Sequence, residues 1–594
     1  MWPNARLLPR LDCTMARFHL VLIRPSHYDS EGYVIQWLRS GIPSNTLATL
    51  NGLAEDCAAR KILGDDVEIR VTPIDEANTK VDVERLARMI ERDGGYGLVG
   101  LAGVQTNQYP RALDIGRRCR ERGLQVCIGG FHVSGILAML PEPTPELREA
   151  KDLGISLYAG ESETRFDEVL IDAFNRDLKP VYNYLNDLPN VEGVTPPFLP
   201  VDRVYKTLSK VTSFDAGRGC PFVCSFCSII NVHGRKSRFR SPDDIERVIR
   251  DNQAQGISRF FITDDNFARN KNWELILDRL IELREKEGIE VRLTIQVDVQ
   301  CHRIPRFIDK CVKAGVKRVF IGLESINPDN LAAANKKQNR ITEYRTMFLA
   351  WRKAKVFTDV GYIIGFPGDT PQSVARDIGI LQRELPIDRI EFTAMTPLPG
   401  SADHKAMFER GEYMDPDLNK YDLWNVTTHH PKMSDEEFRD TYQMAWRTYY
   451  SDEHIITNLK RARASGISIG KVLGSNVHYA LVPELEGVHP LEAGLFRVRR
   501  RKDRRPGMPV ESALVFYPKY AWRFLRIHWK AAGTLLKFHR IRKALDADTE
   551  AVNYMDRALT PVGENDLEEL EMFTQTEAAR VAVQLHQVKQ RARA

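Results

Sequence analysis

The chain has 594 residues, of which 43% are hydrophobic and 28% are charged, and its formal net charge is only +5. This length predicts two to four domains, and the small net charge argues against a nucleic-acid partner. The sequence contains no run of about 18 apolar residues, so no transmembrane helix is expected. Most of the nine cysteines lie far apart, which favours a reducing compartment, and hence a cytoplasmic location, over a disulfide framework.

Residues 15–185 alternate β-rich apolar runs with amphipathic helical patterns. The runs FHLVLI, DVEIRVTPID, YGLVGLAGV, LQVCIGGFH and ISLYAGE predict an open, mostly parallel, Rossmann-like α/β sheet. Ligands of such sheets bind at the carboxyl ends of the strands, where the loops leave. The stretch GGFH, with Gly129, Gly130 and His132, is therefore a candidate ligand loop, although a tight turn would explain the same glycines.

Residues 186–204 are rich in proline and predict a linker. From 205 to 405 the alternation resumes with more regularity. Six candidate strands follow one another, and each except the last precedes a helical pattern: KVTSFDAG, SRFFITDD, VRLTIQVD, KRVFIGLE, TDVGYIIG and RIEFTAMT. This order predicts a (β/α)6 partial TIM barrel, in which polar residues at the strand ends line the active face.

Residues 406–594 predict a helical C-terminal region with a basic amphipathic segment at 497–545. The segment begins with RVRRRKDRR, which has seven basic residues and one acidic residue, and it carries Trp522 and Trp529. These features predict peripheral contact with a membrane surface, whereas the alternative is a helix that packs on the barrel with its basic side in solvent. The predicted apolar face consists of Phe524, Ile527, Ala531, Leu535, Phe538, Ile541 and Leu545.

Three of the nine cysteines, Cys220, Cys224 and Cys227, lie within eight residues after the first candidate barrel strand. Three thiolates can bind three irons of a cubane cluster and leave the fourth iron open to another ligand. A structural zinc site takes four ligands, for which His233 is a candidate, but the C-x3-C-x2-C spacing departs from common zinc sites. A disulfide would leave one thiol unpaired.

The stretch GRGCPFVCSFCSI resembles the cluster loop of the radical S-adenosylmethionine superfamily, whose pattern is CxxxCxΦC, with the aromatic Φ here at Phe226. The resemblance implies a 4Fe-4S cluster, chelation of its fourth iron by S-adenosylmethionine, and a one-electron reductant such as flavodoxin or ferredoxin. It also implies further cofactor contacts, which occur in the family's order: Asp264, Asp265 and Asn266 after the second strand, Glu324 after the fourth, and Gly365, Phe366 and Pro367 after the fifth.

Two of these features have plainer alternatives. The pair of aspartates could cap a helix, and Arg238 or Arg240 could either reach the carboxylate of the cofactor or remain solvated.

The first region resembles the cobalamin-binding domain that is fused to one large branch of this superfamily. The matching stretches are GLVGLAGVQTNQYPRA, VCIGGFHVSG and SLYAGESE, and they imply cobalamin contacts at Gly129, Gly130 and His132. The motif DxHxxG is absent, so neither His27 nor His132 is identified as a ligand of cobalt. An empty domain of this type is the alternative.

These resemblances imply an enzyme that generates a 5′-deoxyadenosyl radical and modifies an unactivated carbon, by methyl transfer if cobalamin is bound. The alternatives are a radical enzyme without corrinoid that performs cyclisation, rearrangement or oxidation, and a non-catalytic iron–sulfur protein. The expected substrate is a small or lipid-like molecule, and 497–545 would contact the inner face of the membrane. His429 and His430 could approach the substrate, whereas a helix cap at Ser434 and Glu437 explains their neighbours.

Overall fold

The computed structural model describes residues 15–563 and 566–591. Two six-stranded parallel sheets follow one another along the chain, and a mainly helical region comes after them. This arrangement confirms the predicted fold class. The boundaries at 185, 204 and 405 remain predictions.

The first sheet has the spatial order β3-β1-β4-β5-β6-β7, with every neighbouring pair parallel. Its order reverses between β1 and β4, and ligands of open α/β sheets bind at such a reversal. The strands of this part are β1 (Ala16–Arg24), β2 (Trp37–Arg39), β3 (Val67–Asp75), β4 (Gly97–Leu101), β5 (Gln125–Gly129), β6 (Ser156–Ala159) and β7 (Val181–Asn183). The helices are α1 (Asn45–Ala59), α2 (Val83–Arg92), α3 (Tyr109–Glu121), α4 (Phe131–Met139), α5 (Pro145–Asp152) and α6 (Phe166–Asn175).

The predicted linker is held against its neighbours. The Phe198 backbone N–H donates to the Ala48 carbonyl at 3.0 Å, and the Asn51 side chain donates to the Phe198 carbonyl at 3.0 Å. A short helix, α7 (Val201–Val204), ends this stretch. These contacts fix the path by which the chain enters the second sheet.

The second sheet has the order β8-β11-β12-β13-β14-β15, all parallel, with β8 and β15 at its two edges. The strands here are β8 (Val211–Phe214), β9 (Gly217–Arg218), β10 (Arg238–Phe239), β11 (Arg259–Ile262), β12 (Arg292–Val297), β13 (Val316–Glu324), β14 (Phe357–Ile364) and β15 (Arg389–Ala394). The helices are α8 (Ile229–Val232), α9 (Pro242–Ala254), α10 (Trp273–Glu285), α11 (Phe307–Ala314), α12 (Pro328–Ala333), α13 (Tyr344–Lys353), α14 (Pro371–Glu384) and α15 (Ala402–Arg410). Six parallel strands with intervening helices form the partial barrel that the periodicity predicts.

The last region contains one strand and seven helices among the described residues. They are α16 (Asp435–Tyr449), α17 (Asp452–Ala464), α18 (Ile469–Glu486), β16 (Leu495–Arg497), α19 (Ala513–Ala547), α20 (Asp566–Glu569), α21 (Glu571–Thr574) and α22 (Glu577–Arg591). β16 pairs antiparallel with β2, so the region returns to the start of the chain. Within the described ranges, no helix has the length and apolarity that crossing a membrane requires.

Part of the basic run 497–505 is paired with carboxylates of the protein itself. Arg497 and Arg499 are both buried and form ion pairs with Asp29, at 2.9 and 2.7 Å. Arg505 forms a bidentate pair with Asp417, at 2.8 and 2.9 Å. These three arginines therefore neutralise carboxylates of the protein, and the predicted membrane contact then depends on α19.

Candidate active site

The three clustered cysteines share one loop at the carboxyl end of β8. The antiparallel pair of β9 and β10 closes the base of this loop. The Cys220 N–H donates to the Gly234 carbonyl at 3.3 Å, and the Cys227 N–H donates to the Cys224 carbonyl at 3.2 Å. Cys224 is buried and the other two are half-buried, so all three thiols are at least partly shielded from solvent.

Burial favours the protonated form of two of the three thiols. Burial raises the pKa of Cys227 to about 12 and also raises that of Cys220, so incoming iron must displace their protons. The Gln338 side chain donates to the Cys224 sulfur at 3.4 Å. Hydrogen bonds to sulfur are one of the means by which a protein tunes an iron–sulfur cluster.

His233, the candidate fourth zinc ligand, contacts Asp265 and Phe131. Its Nδ1 lies 3.4 Å from Asp265 Oδ2, and its ring packs on Phe131 with the centroids 5.0 Å apart. Burial opposes the charged form of His233, but the charge of Asp265 raises the pKa of the ring above its usual value. Across the described ranges, no three His, Cys, Asp or Glu side chains converge as in a site for one metal ion.

The polar residues after β11 have three different roles. Asp264 is buried and accepts hydrogen bonds from the Ala216 and Gly217 N–H groups at 2.6 and 2.9 Å, which holds the start of the cysteine loop. Burial raises the pKa of Asp264 to about 7. Asp265 accepts from the Gly219 N–H at 2.7 Å, one residue before Cys220. The Asn266 amide donates to Asp298 at 3.0 Å, while its Oδ1 is buried and has no partner among the described atoms.

Glu324 ends β13 in an unusual backbone conformation. Its φ is +64°, in the left-handed region, and the pairing of β13 with β14 shifts register at this residue. Such strain in a residue with a side chain occurs mainly at functional sites. The carboxylate pairs with buried Lys336, whose Nζ also lies 5.6 Å from the centroid of the Phe226 ring. Lys336 therefore connects the acid at the end of β13 to the cysteine loop.

The glycine-rich stretch after β14 is a tight turn closed by Asp369, whose carboxylate accepts from the Gly365 and Phe366 N–H groups at 2.9 and 3.0 Å. Gly365 has φ +105°, and a Cβ there would lie 2.1 Å from the Phe438 ring. Phe366 is buried, whereas Pro367 is exposed. The turn is thus positioned by its own carboxylate and by α16.

The two histidines after the barrel support neighbouring structure. His430 donates from Nε2 to the Phe366 carbonyl at 2.8 Å. His429 is exposed, pairs with Asp435 at 3.0 Å and stacks on Tyr413. Ser434 caps α16 in a capping box with Glu437, which is the helix cap expected from the sequence.

Arg238 and Arg240 both bond to other parts of the protein and are not solvated. Arg238 pairs with Glu161, which follows β6. Arg240 is fully buried and donates to the Asp215 carbonyl at 2.9 Å. Arg218, at the base of the cysteine loop, pairs with Glu161 at 2.6 Å. Burial opposes the ionisation of Glu161, but Arg218 and Arg238 hold its pKa below the usual value.

A cavity of about 170 Å³ opens at the carboxyl edge of the first sheet, next to the cysteine-loop segment. Arg218 and His233, which belong to the cysteine-loop segment, form part of its wall. The segment that carries the three thiols therefore also borders the cavity.

The cavity combines an apolar slot with a polar rim. The slot reaches between the sheet and the helices α1 and α6, and its lining includes Leu20, Leu22, Leu98, Cys127, Phe166 and Val169. Asn45 Oδ1 and Thr49 Oγ1 belong to lining residues, and both atoms are buried without a hydrogen-bond partner among the described atoms. Gly129 and Gly130 form the edge. Gly130 has φ +149°, and a Cβ there would lie 2.1 Å from the Val104 nitrogen.

His132 and His27 are not among the residues that line this cavity. His132 is buried beside Glu146 at 3.3 Å, and its ring packs on Tyr109. His27 pairs with Glu492 at 2.8 Å. Both rings are thus engaged by carboxylates away from the cavity.

Several residues of this site were missed by sequence reasoning. Lys336 and Gln338 follow α12 in an irregular stretch without a motif, and Glu161 and Thr49 look like ordinary loop and helix residues. Only the fold brings Lys336 to Glu324 and Glu161 to Arg218, across 12 and 57 residues of sequence.

A parallel six-stranded partial barrel with three cysteines after its first strand defines the class of enzymes that generate radicals from S-adenosylmethionine. A family model described as the radical SAM superfamily matches residues 215–379. Residues 215–379 therefore form a radical SAM domain, which confirms the resemblance of the cysteine loop. A 4Fe-4S cluster and S-adenosylmethionine are the cofactors of this family.

Two relatives come from Chlorobaculum tepidum. The bacteriochlorophyllide d C-12(1)-methyltransferase is 27% identical over 412 residues, which cover 68% of this chain and 85% of the relative. The bacteriochlorophyllide d C-8(2)-methyltransferase is 29% identical over 359 residues, which cover 57% and 74%. Among solved structures, the cobalamin-dependent S-adenosylmethionine radical enzyme OxsB aligns with a TM-score of 0.53 at 13% identity, over 94% of this chain and 84% of that one. This likeness shows that the fold is shared across both sheets.

Proposed function

We propose that this protein is a cobalamin-dependent radical SAM methyltransferase that acts on an unactivated carbon. The observation that carries the proposal is the position of the cavity, which lies at the carboxyl edge of the first sheet and shares the Arg218–His233 wall with the cysteine loop. Two cofactor sites that face each other across one substrate would need this arrangement. The two relatives from Chlorobaculum tepidum are both methyltransferases by name.

The donor set at the barrel mouth fits a cluster and S-adenosylmethionine. We propose Cys220, Cys224 and Cys227 as the three protein ligands of a 4Fe-4S cluster. The free Asn266 Oδ1 and the nearby Asp265 are acceptors suited to the methionine ammonium, and Glu324 is suited to the ribose hydroxyls. The turn at Gly365, Phe366 and Pro367 would border the adenine.

The cavity fits cobalamin by shape and by its unpaired polar atoms. The apolar slot would take the flat base of the nucleotide tail, and Asn45 and Thr49 would pair with polar groups of that tail. The backbone at Gly129 and Gly130 would allow close approach of the corrin ring. His132 is left out of this set because its ring is turned toward Glu146. When bound, these cofactors would supply an adenosyl radical and a methyl group.

The proposed substrate is a small or lipid-like molecule, and the electron would come from a small redox protein such as flavodoxin or ferredoxin. We further propose a cytoplasmic protein that contacts the inner face of the membrane through its C-terminal region. The basic and tryptophan-containing helix α19 supports this placement.

The test is anaerobic purification from cells supplied with cobalamin, reconstitution with iron and sulfide, and measurement of iron, sulfide and cobalt together with the visible spectrum. Four irons and about one cobalt per chain, with S-adenosylmethionine cleavage under reduction, are the expected results. Four irons without cobalt would refute methyl transfer from cobalamin and favour a radical enzyme for cyclisation, rearrangement or oxidation. Zinc without iron would refute the whole proposal.

A further inference from the structure

Helix α19 has two apolar faces. One face packs on the protein, mainly on α17 and α18, and its residues Phe516, Phe538 and Leu545 are buried. Ile527, Ala531 and Ile541 lie between them and are partly buried. This is the face predicted from the sequence, although Phe524 and Leu535 at its margin are 37% and 48% exposed.

The opposite face is apolar and exposed. It carries a stripe consisting of Leu514, Trp522, Leu525, Trp529 and Leu536, with exposed fractions of 88%, 62%, 67%, 84% and 61%. At about 100° per residue, these five positions fall within a sector of roughly 80°, and they extend about 33 Å along the helix axis. We call this set the outer stripe. A helix at the surface of a soluble protein normally places polar residues there, so an exposed patch of this kind indicates an interaction site.

The charges around the outer stripe indicate an anionic partner. Helix α19 contains eight Lys and Arg residues and a single Asp. The Arg526 guanidinium lies over the Trp522 ring at 5.1 Å, beside the stripe. Arg540 and Lys543 are exposed and continue the angular position of the stripe beyond Leu536. Tryptophan at the rim of an apolar face with flanking cations is typical of helices that lie in the headgroup layer of a membrane.

The first half of α19 is attached to the loop that follows β1. Phe516 packs on Tyr33 with the centroids 5.6 Å apart, and Lys519 and Arg523 both pair with Glu31, at 2.8 and 3.0 Å. This loop leaves the first sheet at its carboxyl edge, which is also the edge where the cavity opens. A surface bound by the outer stripe would therefore lie on the part of the protein that borders the proposed active face.

We propose that the outer stripe docks the enzyme on an anionic lipid surface, with α19 lying in the plane of the headgroups. The inference deepens the proposed function, on which it rests, because it names the membrane-facing side chains and favours a membrane-held, lipid-like substrate. The basic run 497–505 precedes α19 and is not part of the outer stripe, and its residues Arg497, Arg499 and Arg505 are paired with Asp29 and Asp417.

The test uses the full chain and vesicles of phosphatidylcholine, with or without one quarter phosphatidylglycerol. The unchanged protein should co-sediment with the anionic vesicles and much less with the neutral ones. The triple variant Trp522→Ser, Leu525→Ser, Trp529→Ser should lose binding at least about tenfold, since each change removes a large exposed apolar side chain. The triple variant Arg526→Glu, Arg540→Glu, Lys543→Glu should remove the preference for anionic lipid.

The matched control is Leu38→Ser with Leu275→Ser, because both leucines are 59% exposed and neither belongs to α19. This variant should bind vesicles like the unchanged protein. Bromine-labelled acyl chains should quench the fluorescence of the unchanged protein and not that of the tryptophan variant. Equal sedimentation of all variants would overturn the proposal. A dimer in vesicle-free solution that the tryptophan variant dissociates would overturn it too, since the stripe would then join two copies.

S-adenosylmethionine cleavage, measured without vesicles, distinguishes a failure of this docking proposal from a failure of the proposed function. The stripe variants should retain it. If every protein lacked cleavage while vesicle binding followed the outer stripe, the proposed function would fail and the docking site would stand.

Discussion

The two six-stranded parallel sheets share an architecture but carry their proposed chemistry in different ways. The barrel sheet presents reactive side chains at its strand ends: three thiols, a strained glutamate and a buried lysine. The first sheet presents glycine backbone, an apolar slot and two unpaired polar atoms at the corresponding edge. Ligation by side chains leaves a local motif in the sequence, whereas a cavity is formed by residues from many elements and leaves only weak traces.

The largest expected effect comes from the cysteines of the barrel, whose loss should abolish the function of the barrel and leave the first sheet unaffected. Substituting Cys220, Cys224 or Cys227 with alanine removes one of the three proposed cluster ligands, so iron content and S-adenosylmethionine cleavage should fall to background. Cobalt content should remain, because none of the three side chains lines the cavity of the first sheet. Metal analysis and product chromatography measure these outcomes.

Cys119→Ala is the control, since Cys119 is buried in α3 and remote from the barrel mouth. It should keep both metals. Full cleavage activity in any of the three loop variants would contradict the assignment of that ligand.

The next largest effect comes from the cavity of the first sheet, where a substitution should affect cobalt binding and leave the barrel unaffected. Thr49→Trp places a large ring in the apolar slot and should lower cobalt content by about tenfold or more, because each 1.4 kcal/mol of steric conflict is a factor of ten in affinity. Iron content and S-adenosylmethionine cleavage should persist, while formation of methylated product should cease. Cobalt analysis and the visible spectrum report the result.

Thr49→Ser is the matched control, since it keeps the hydroxyl and adds no volume, and it should retain cobalt. Normal cobalt binding by the tryptophan variant would show that cobalamin does not occupy the slot.

The smallest expected effect concerns Glu324, within the barrel itself. Glu324→Gln removes the charge that pairs with Lys336 and the proposed acceptor for the ribose, so the Kd for S-adenosylmethionine should rise about 10- to 100-fold. The visible absorption of the cluster should be unchanged. Equilibrium binding to the reconstituted protein measures the shift, and Glu343→Gln, which changes an acid that pairs with His302, is the control. An unaltered Kd would remove Glu324 from the site.

The barrel could be predicted because β-rich runs and amphipathic helices alternate strictly between 205 and 405, and because the cysteine spacing is specific. The first sheet could be predicted for the same periodic reason. Its cavity could not, because residues as far apart as Leu20 and His233 contribute to one wall. His132 looked accessible in its glycine-rich loop, but α4 begins at Phe131 and turns the histidine ring toward Glu146.

The C-terminal region shows the main limit of sequence reasoning. A run of seven cations is typical of a solvent-facing or membrane-facing surface. Here, however, Arg497 and Arg499 pair with Asp29, and Arg505 pairs with Asp417. The short strand β16 carries no periodic signal, and its partner β2 lies more than 450 residues away. Pairing over such distances depends on the completed fold and not on the local pattern.

The pairing of Arg497 and Arg499 with Asp29 has a consequence for biosynthesis. The loop after β1 is among the first parts of the chain to leave the ribosome, but the partners of Asp29 are 468 and 470 residues later in the sequence. At about 5–20 residues per second, the loop would wait roughly 25–90 s for them. During that interval the loop at the carboxyl edge of the first sheet lacks its ion pairs with the C-terminal region. A bulky cofactor could therefore enter the nascent chain before these pairs form.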